Sequence, residues 1–170
     1  VGTPIERRRD LRTSGECRIG NFVADAYRWA AESDVGLHNA GGIRDGAPLA
    51  GDVTVADLVS VVPFDEAVSV AEVTGADLRA LFGEAFRAPH GEDRWTAHVS
   101  GCTVVYDREN RTVVEVRVGE DPVVDDRRYT LATNDYLLQT PAEFPTLTDR
   151  HRVRTLPTQY EVLAAYARQE

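Results

Sequence analysis

The stretch Val35-Gly-Leu-His-Asn-Ala-Gly-Gly-Ile-Arg44 passes from a short apolar run into two glycines and then a guanidinium. It predicts a short β-strand that leads into a glycine loop. Glycine can adopt positive φ and lets the backbone approach a ligand, while Asn39 and Arg44 offer donors suited to ribose hydroxyls and phosphate oxygens. An ordinary strand-to-loop turn has the same pattern, so the residues alone leave both interpretations open.

An aromatic ring follows twenty positions after Arg44, in Val62-Pro-Phe64. The ring of Phe64 can stack on a nucleobase. A phenylalanine that follows a proline at the end of an apolar run more often packs in the core. Amide, glycine turn, guanidinium and ring together are the parts of a nucleotide site.

Hydrophobic periodicity predicts helices in the first half of the chain. Apolar residues recur at helical spacing over about 19–33, through Phe22, Ala26, Trp29 and Ala30. Thr54-Val-Ala-Asp57 is a capping signal for a short helix that ends before Pro63. Residues 66–73 alternate as a strand. The strongest helix signal spans Leu78 to Phe86, with apolar residues at i, i+3, i+4, i+7 and i+8.

The second half of the chain changes to strand periodicity. Strands are predicted over 103–106 and 112–118, joined by a turn at 107–111, and again over 128–133. A final helix follows Pro157-Thr158. Residues 1–15, polar and rich in arginine, predict an irregular linker segment, and no signal peptide begins at Val1. Helices and strands in this order indicate an α/β fold with mixed sheets.

Composition and charge exclude several classes of protein. A chain of 170 residues, 42% hydrophobic and without a long apolar run, predicts one domain with a substantial core and no membrane span. A net charge of -9 and a pI near 4.9 argue against a nucleic-acid polymer as partner. All 19 basic residues are arginine, against 28 acidic ones. That balance resembles the acidic proteins of halophiles, and a GC-rich genome gives a similar arginine bias.

Cysteine and histidine spacing predicts no metal site in this chain. Cys17 and Cys102 fit no zinc pattern and are expected to be two buried free thiols; a disulfide between them is the alternative. His38 titrates near neutrality and adjoins Asn39, which suggests acid–base chemistry. A packed or hydrogen-bonded ring at a strand end is the favoured interpretation of His38. A surface or structural role is predicted for His90, His98 and His151.

Six motifs in a fixed order resemble the C-terminal domain of the 5'-nucleotidase, UDP-sugar hydrolase and 2',3'-cyclic-nucleotide phosphodiesterase family. The likeness runs from about Arg12 to the last helix, so a domain over 12–170 is expected after a linker segment over 1–15. Six motifs with compatible spacing are far more specific than any one of them. The motifs are Glu16-Cys-Arg-Ile-Gly-Asn-Phe-Val-Ala-Asp-Ala26, Asn39-Ala-Gly-Gly-Ile-Arg44, Gly51-Asp-Val-Thr-Val-Ala-Asp-Leu58, Val62-Pro-Phe64, Val73-Thr-Gly-Ala-Asp-Leu78 and Thr133-Asn-Asp-Tyr-Leu137.

The resemblance implies a four-layer α/β/β/α sandwich that recognises a nucleotide or nucleoside for a metal-dependent hydrolase. The family keeps two divalent metals in an N-terminal metallophosphoesterase domain whose motifs are absent from this chain, so no cofactor and no catalytic residue are expected here. The parent protein is expected to be extracellular, at the cell surface or periplasmic. The alternative is a free-standing binding or interaction module that kept the fold and lost the ligand.

The resemblance also assigns roles at the site. Asn39, Gly41, Gly42 and Arg44 would hold ribose and phosphate, while Phe64 and Phe144 would clamp the base. The position of Arg12 is near that of a phosphate-facing arginine in the family, and the alternative is that Arg12 is a plain solvated charge. Asp149 could accept from ribose hydroxyls. The chain departs from the family at Thr140-Pro-Ala-Glu143, where the family has Gly-Gly-Asp-Gly. That change removes backbone freedom and adds negative charge beside a phosphate-bearing ligand.

Overall fold

A computed structural model describes residues 1–87 and 93–169 of the chain. Over those ranges helices and strands alternate between residues 18 and 84, whereas the described residues between 86 and 134 form strands and loops without an α-helix. The α-helices are α1 (Arg9–Ser14), α2 (Arg18–Ala31), α3 (Val55–Val61), α4 (Gly75–Glu84), α5 (Asp135–Gln139) and α6 (Gln159–Ala167). The strands are β1 (Val35–Asn39), β2 (Ala67–Thr74), β3 (Phe86–Arg87), β4 (Arg94–Trp95), β5 (Ala97–Ser100), β6 (Cys102–Asp107), β7 (Thr112–Val118), β8 (Asp121–Pro122), β9 (Arg128–Asn134) and β10 (Arg152–Thr158).

A five-stranded sheet in the order β10-β2-β9-β1-β5 forms the centre of the fold. The strand β1 runs parallel to β9 and antiparallel to β5, and β2 pairs antiparallel with both β9 and β10. Every residue of β1 is buried, because helices or a second sheet cover both faces of the central sheet. Because β1 and β9 are parallel neighbours, their ends lie side by side. Asn39 and Asn134 are the last residues of the two strands.

Two hydrophobic cores lie on opposite faces of the central sheet. On one face, α2 packs against β1, β5 and β9 and against α6, which also contacts α3. On the other face, α4 contacts β2 of the central sheet. It also contacts β7, which belongs to a smaller sheet in the order β6-β7-β8. This stacking of helices and sheets confirms the mixed α/β class predicted from the sequence.

Local sequence signals match the structure within about two residues at most elements. The capping box predicted at Thr54 is formed, because Asp57 Oδ2 accepts from the Thr54 N–H at 2.8 Å. As predicted, α3 ends before Pro63. The helix predicted through Phe86 ends instead at Glu84. Phe86 belongs to β3 and stacks on Tyr106 with ring centroids 4.8 Å apart. Strand pairing of Phe86 with Trp95 and stacking of its ring on Tyr106 of β6 are tertiary contacts that outweigh the helical spacing.

The first fifteen residues are more ordered than the sequence predicts. Residues 9–14 form α1, and Ile5 makes an antiparallel bridge with Leu49. Arg7 and Arg12 are buried, so two charges of this polar segment belong to the interior. The strands β5 and β10 were also missed. Among the described residues, no helix combines the length and apolar character needed to cross a membrane.

Candidate functional site

The glycine loop follows directly from the buried end of β1. A 3-10 turn covers Ala40–Gly42, and neither Gly41 nor Gly42 has positive φ, contrary to the expectation for these glycines. Gly42 is required for a different reason: an added Cβ would lie 2.5 Å from His38 Nε2 and 2.9 Å from Asn39 Oδ1. Close packing of the loop on its own strand, rather than backbone strain, therefore fixes this glycine.

The buried guanidinium of Arg12 holds the loop in place. It donates to the carbonyl of Arg7 at 2.9 Å, to that of Ala40 at 2.7 Å and to that of Ile43. Its Nη2 also donates to Asp45 Oδ1 at 2.5 Å. These four bonds use four of the five N–H groups of an arginine, and the residue is 5% exposed. The interpretation of Arg12 as a solvated charge is wrong, and its role toward phosphate stays a prediction.

A line of buried amides connects the ends of β1 and β9. Asn134 Nδ2 donates to Asn39 Oδ1 at 3.1 Å and lies 3.2 Å from His38 Nδ1. Asn39 Nδ2 then donates to Glu143 Oε1 at 2.8 Å. The amide of Asn39 is thus held on both sides. One of the two N–H donors of Asn39 Nδ2 is therefore occupied by a carboxylate from the altered loop.

A cavity of about 350 Å³ opens over this amide line. All five residues expected there from the Asn39–Arg44 and Val62–Phe64 motifs line it, namely Asn39, Gly41, Gly42, Arg44 and Phe64. The remaining lining residues are Glu66, Asn134, Tyr136, Glu143 and Gln159. The guanidinium of Arg44 lies over the Phe64 ring, 4.8 Å from its centroid, and Nη1 of Arg44 donates to the Gly41 carbonyl at 3.1 Å.

Phe144 does not face this cavity, so the predicted pair of Phe64 and Phe144 is wrong for this structure. Phe144 is 0% exposed and packs in the core on the α4 side of the sheet. The loop is held there because Thr146 donates to the Glu84 carboxylate, with Oγ1 at 2.6 Å, and the Leu147 N–H donates to the Phe144 carbonyl. With the ring in the core, the preceding Glu143 lines the cavity.

Tyr136 is the second aromatic ring in the lining, beside the half-buried Phe64. It lies in α5, whose N-cap Asn134 accepts from the Leu137 N–H at 3.1 Å. The motif Thr133-Asn-Asp-Tyr-Leu137 carried this ring in the sequence without a role for it. Glu66 and Gln159 come from distant parts of the chain with no motif, and only the three-dimensional packing brings them here.

A second cavity of about 650 Å³ adjoins the first and is rich in arginine. Gly41, Arg44 and Glu143 line both cavities. Its five guanidiniums come from α1, the glycine loop and the β3–β4 region, and they belong to Arg9, Arg12, Arg44, Arg87 and Arg94. Asp45 and Glu143 are the carboxylates in its lining. The sequence predicted Arg12 and Arg44 here and missed the other three.

Asp149 is placed apart from both linings. Its carboxylate accepts from Arg152 at 2.8 Å, and Arg152 also pairs with Asp135 at 2.5 Å. The ring of His151 closes the same turn by accepting from the Thr148 N–H at 3.1 Å. The proposed contact of Asp149 with ribose stays a prediction. His90 lies outside the described residues.

Burial perturbs the titratable groups around the site. Desolvation lowers the pKa of His38 to about 3, with a further effect from the charge of His98. Desolvation, with the nearby charge of Arg12, lowers the pKa of His98 to about 4. Two carboxyls in the cavity shift the other way: burial raises the pKa of Glu143, and burial together with Asp135 raises that of Glu66. Both histidine rings are therefore neutral packing groups, as the sequence favoured.

Neither metal ligands nor a disulfide are found in the part of the chain that the structure describes. No group of three or more His, Cys, Asp or Glu side chains there could hold a metal ion. Cys17 and Cys102 are free and half-buried. Cys17 Sγ lies 3.9 Å from His98 Nδ1, and burial raises the pKa of the Cys102 thiol to about 12.

The fold is a mixed α/β domain with two adjoining cavities, one of them rich in arginine. A sequence model described as "5'-nucleotidase, C-terminal domain" matches residues 1–149. The chain belongs to this family.

Relatives and solved structures agree with that membership. The chain is 32% identical over 124 residues to Endonuclease YhcR of Bacillus subtilis, covering 72% of this chain and 10% of the relative. It is 28% identical over 164 residues to a 5'-nucleotidase of Vibrio parahaemolyticus, covering 95% of this chain and 28% of the relative. The 5'-nucleotidase precursor from Thermus thermophilus has the same fold, with a TM-score of 0.80, 21% identity, and coverage of 98% of this chain and 35% of that one. The chain thus spans about a third or less of these proteins.

Replacing Arg12 by glutamine is expected to lower the free energy of unfolding by about 2–5 kcal/mol, because the Ala40 and Ile43 carbonyls lose a charged donor at roughly 1–3 kcal/mol each. Urea denaturation measures the change. Arg9→Gln, an exposed arginine of the same helix, is the matched control and should leave the midpoint near that of the unmodified protein. Equal midpoints for the two variants would contradict the role of Arg12 in holding the loop.

Stability is expected to fall as the pH drops below about 6.5, the ordinary histidine pKa. Between that value and the folded pKa values of about 3 and 4, the unfolded chain binds protons at His38 and His98 that the folded chain does not. Stability is therefore full above pH 6.5 and decreases by up to about 1.4 kcal/mol per pH unit for each histidine on acidification. Denaturation midpoints measured from pH 7.5 to 4.5 test this, and the slope should be shallower in His98→Gln. An identical slope in both proteins would rule the explanation out.

Proposed function

We propose that this chain recognises a nucleotide, with the base in the smaller cavity and the phosphates in the arginine-rich one. The observation that carries the proposal is that the two cavities are contiguous, sharing Gly41, Arg44 and Glu143. An aromatic surface joined to a cluster of guanidiniums suits a ligand that is flat and apolar at one end and anionic at the other.

In the smaller cavity the base packs against Phe64, and Tyr136 supplies the second ring that Phe144 does not. Polar groups of Asn134, Glu66 and Gln159 line the same space and can bond to the edge of a base. Glu66 is steadied by Gln159, whose backbone N–H donates to the Glu66 carbonyl at 2.9 Å. Asn39 and Arg44 line the same cavity as Phe64, and in this proposal they hold the ribose and phosphate oxygens.

We further propose that recognition serves phosphoester hydrolysis of the 5'-nucleotidase type. Hydrolysis of a phosphate ester requires a water made nucleophilic by metal ions, and the two divalent metals would come from an N-terminal metallophosphoesterase domain as partner. Gripping the nucleotide on one domain and carrying it to metals on another sets the reacting geometry. The coverage of a third or less of the relatives is consistent with this division of tasks. An extracellular, cell-surface or periplasmic parent protein belongs to the same proposal.

The burial of Phe144 favours a second candidate, a binding or interaction module that kept the fold and lost the ligand. Titration of the chain with nucleosides and nucleotides separates the two, since a lost ligand predicts no heat of binding with any member of the panel.

Phe64→Ala is expected to weaken nucleoside binding by about 1–3 kcal/mol, the typical contribution of one base–aromatic stack. Arg44→Ala should weaken binding of nucleotides more than of nucleosides, because Arg44 also lines the arginine-rich cavity proposed for the phosphates. Calorimetric titration with adenosine, uridine and their 5'-monophosphates, at low and molar salt, measures both effects. Phe144→Leu is the matched control: it alters the core and should leave nucleoside affinity unchanged. An equal loss of affinity in Phe144→Leu and in Phe64→Ala would contradict a direct contact of Phe64 with the base.

The isolated chain is expected not to hydrolyse AMP, a 2',3'-cyclic nucleotide or an aryl phosphate, even with added manganese or cobalt. The reason is that no three potential metal ligands are grouped among the described residues. Release of inorganic phosphate measures hydrolysis of AMP and of the aryl phosphate, and formation of the 2'- or 3'-monophosphate measures opening of the cyclic nucleotide. Turnover that rises in proportion to this chain after removal of contaminating phosphatase would contradict the proposed division of tasks.

A further inference from the structure

Glu143 is the one carboxylate that lines both the smaller cavity and the arginine-rich cavity. A nucleotide that spans the two cavities, with its base in the first and its phosphates in the second, places its sugar at their junction. Two side chains line both cavities, those of Arg44 and Glu143, and of these only the carboxylate of Glu143 can accept from the sugar hydroxyls. This position of Glu143 beside the sugar rests on the proposed function.

The carboxylate of Glu143 is held in a fixed position. Its Oε1 accepts from Asn39 Nδ2 at 2.8 Å, and Asn39 is itself held by Asn134. The backbone carbonyl of Glu143 accepts from Arg87. Glu143 Oε1 also lies 3.8 Å from the position of an added Cβ at Gly41, so the group rests against the glycine loop. None of the bonds found among the described residues uses Oε2, which is left to accept from a ligand.

An ionised carboxylate only accepts hydrogen bonds, and the vicinal hydroxyls of ribose are paired donors that suit it. Bonds to a charged acceptor are stronger than neutral ones. The same carboxylate repels a phosphate attached to those hydroxyls. Asp149, the other carboxylate considered for ribose, is paired with Arg152 and lines neither cavity.

We propose that Glu143 is the specificity-determining contact with the sugar, accepting from the 2'- and 3'-hydroxyls of a ribonucleotide. The ligand is then a 5'-phosphorylated ribonucleoside with both hydroxyls free. Nucleotides that lack a hydroxyl bind more weakly, and those with a 2',3'-cyclic phosphate are rejected. The alteration of Thr140-Pro-Ala-Glu143 thus changes which nucleotides bind.

The test is calorimetric titration of the 170-residue chain with the 5'-monophosphates of adenosine, guanosine, uridine and cytidine and with their 2'-deoxy counterparts. Pairing each ribonucleotide with its deoxy form cancels any preference for a base. For the bases that bind, the unmodified chain should prefer the ribo form by about tenfold or more, the effect of one hydrogen bond to a charged group. The 2',3'-cyclic monophosphate should bind more weakly than the 5'-monophosphate.

Two variants of Glu143 and one control complete the experiment. In Glu143→Ala and Glu143→Gln the ribo-to-deoxy ratio should fall toward one, mainly through weaker binding of the ribonucleotide. Glu109→Gln removes a carboxylate from the exposed turn between β6 and β7 and should keep the ratio. Thermal unfolding of each variant confirms that it is folded, and the isosteric Glu143→Gln serves where alanine destabilises the loop.

Three results would overturn the inference in distinguishable ways. Equal affinity for ribo and deoxy forms in the unmodified chain removes the sugar contact while leaving the proposed nucleotide site intact. Tighter binding of every nucleotide to both Glu143 variants shows instead that the carboxylate competes with the ligand for Asn39. Absence of binding to any of the nucleotides refutes the proposed function itself, and the sugar contact with it.

Discussion

Burial of one permanent positive charge, the Arg12 guanidinium, is the constraint on which the site depends. An interior arginine must satisfy its N–H groups, and here the acceptors are loop carbonyls on either side of the two glycines. A change in the loop conformation would therefore leave the buried guanidinium without its acceptors. That charge also contributes to keeping the His98 ring neutral, and a neutral His98 lies beside Gly20, where an added Cβ would come within 2.1 Å of the ring. The Arg12 charge thus fixes the loop and contributes to the low pKa of His98, for which burial is the larger cause.

From this fixed loop the positioning continues outward through amides. Asn134 at the end of β9 orients Asn39 at the end of β1, and Asn39 orients Glu143. The two strands are neighbours in the central sheet, so their ends move little relative to one another. A site built on strand ends can hold its side chains more closely than one built on free loops alone. The arginines at the rim add long-range attraction for anions on a protein whose net charge is -9.

The sequence was informative where structure is determined locally. The helix α2, the capping box of α3 and the hairpin of β6 and β7 each follow from residues three or four positions apart or from strict alternation. It failed where tertiary packing decides. β10 has exposed polar residues and two register irregularities at the sheet edge, which hide its periodicity. The glycine loop, Arg44 and Phe64 could be placed by motif, whereas the inward direction of Phe144 depends on contacts with α4 and the loop after it.

Adjacency of Glu143 and Phe144 in the chain makes loop length a determinant of ligand chemistry. The two residues face opposite environments, one a polar cavity and the other a dry core. Deleting one residue before them would move Phe144 into the position that faces the ligand, whereas inserting one would move Glu143 into the core among leucines. The insertion is the costlier change, because a buried unpaired carboxylate is strongly disfavoured. The length of this loop therefore determines both the chemistry of the cavity and the packing of the core behind it.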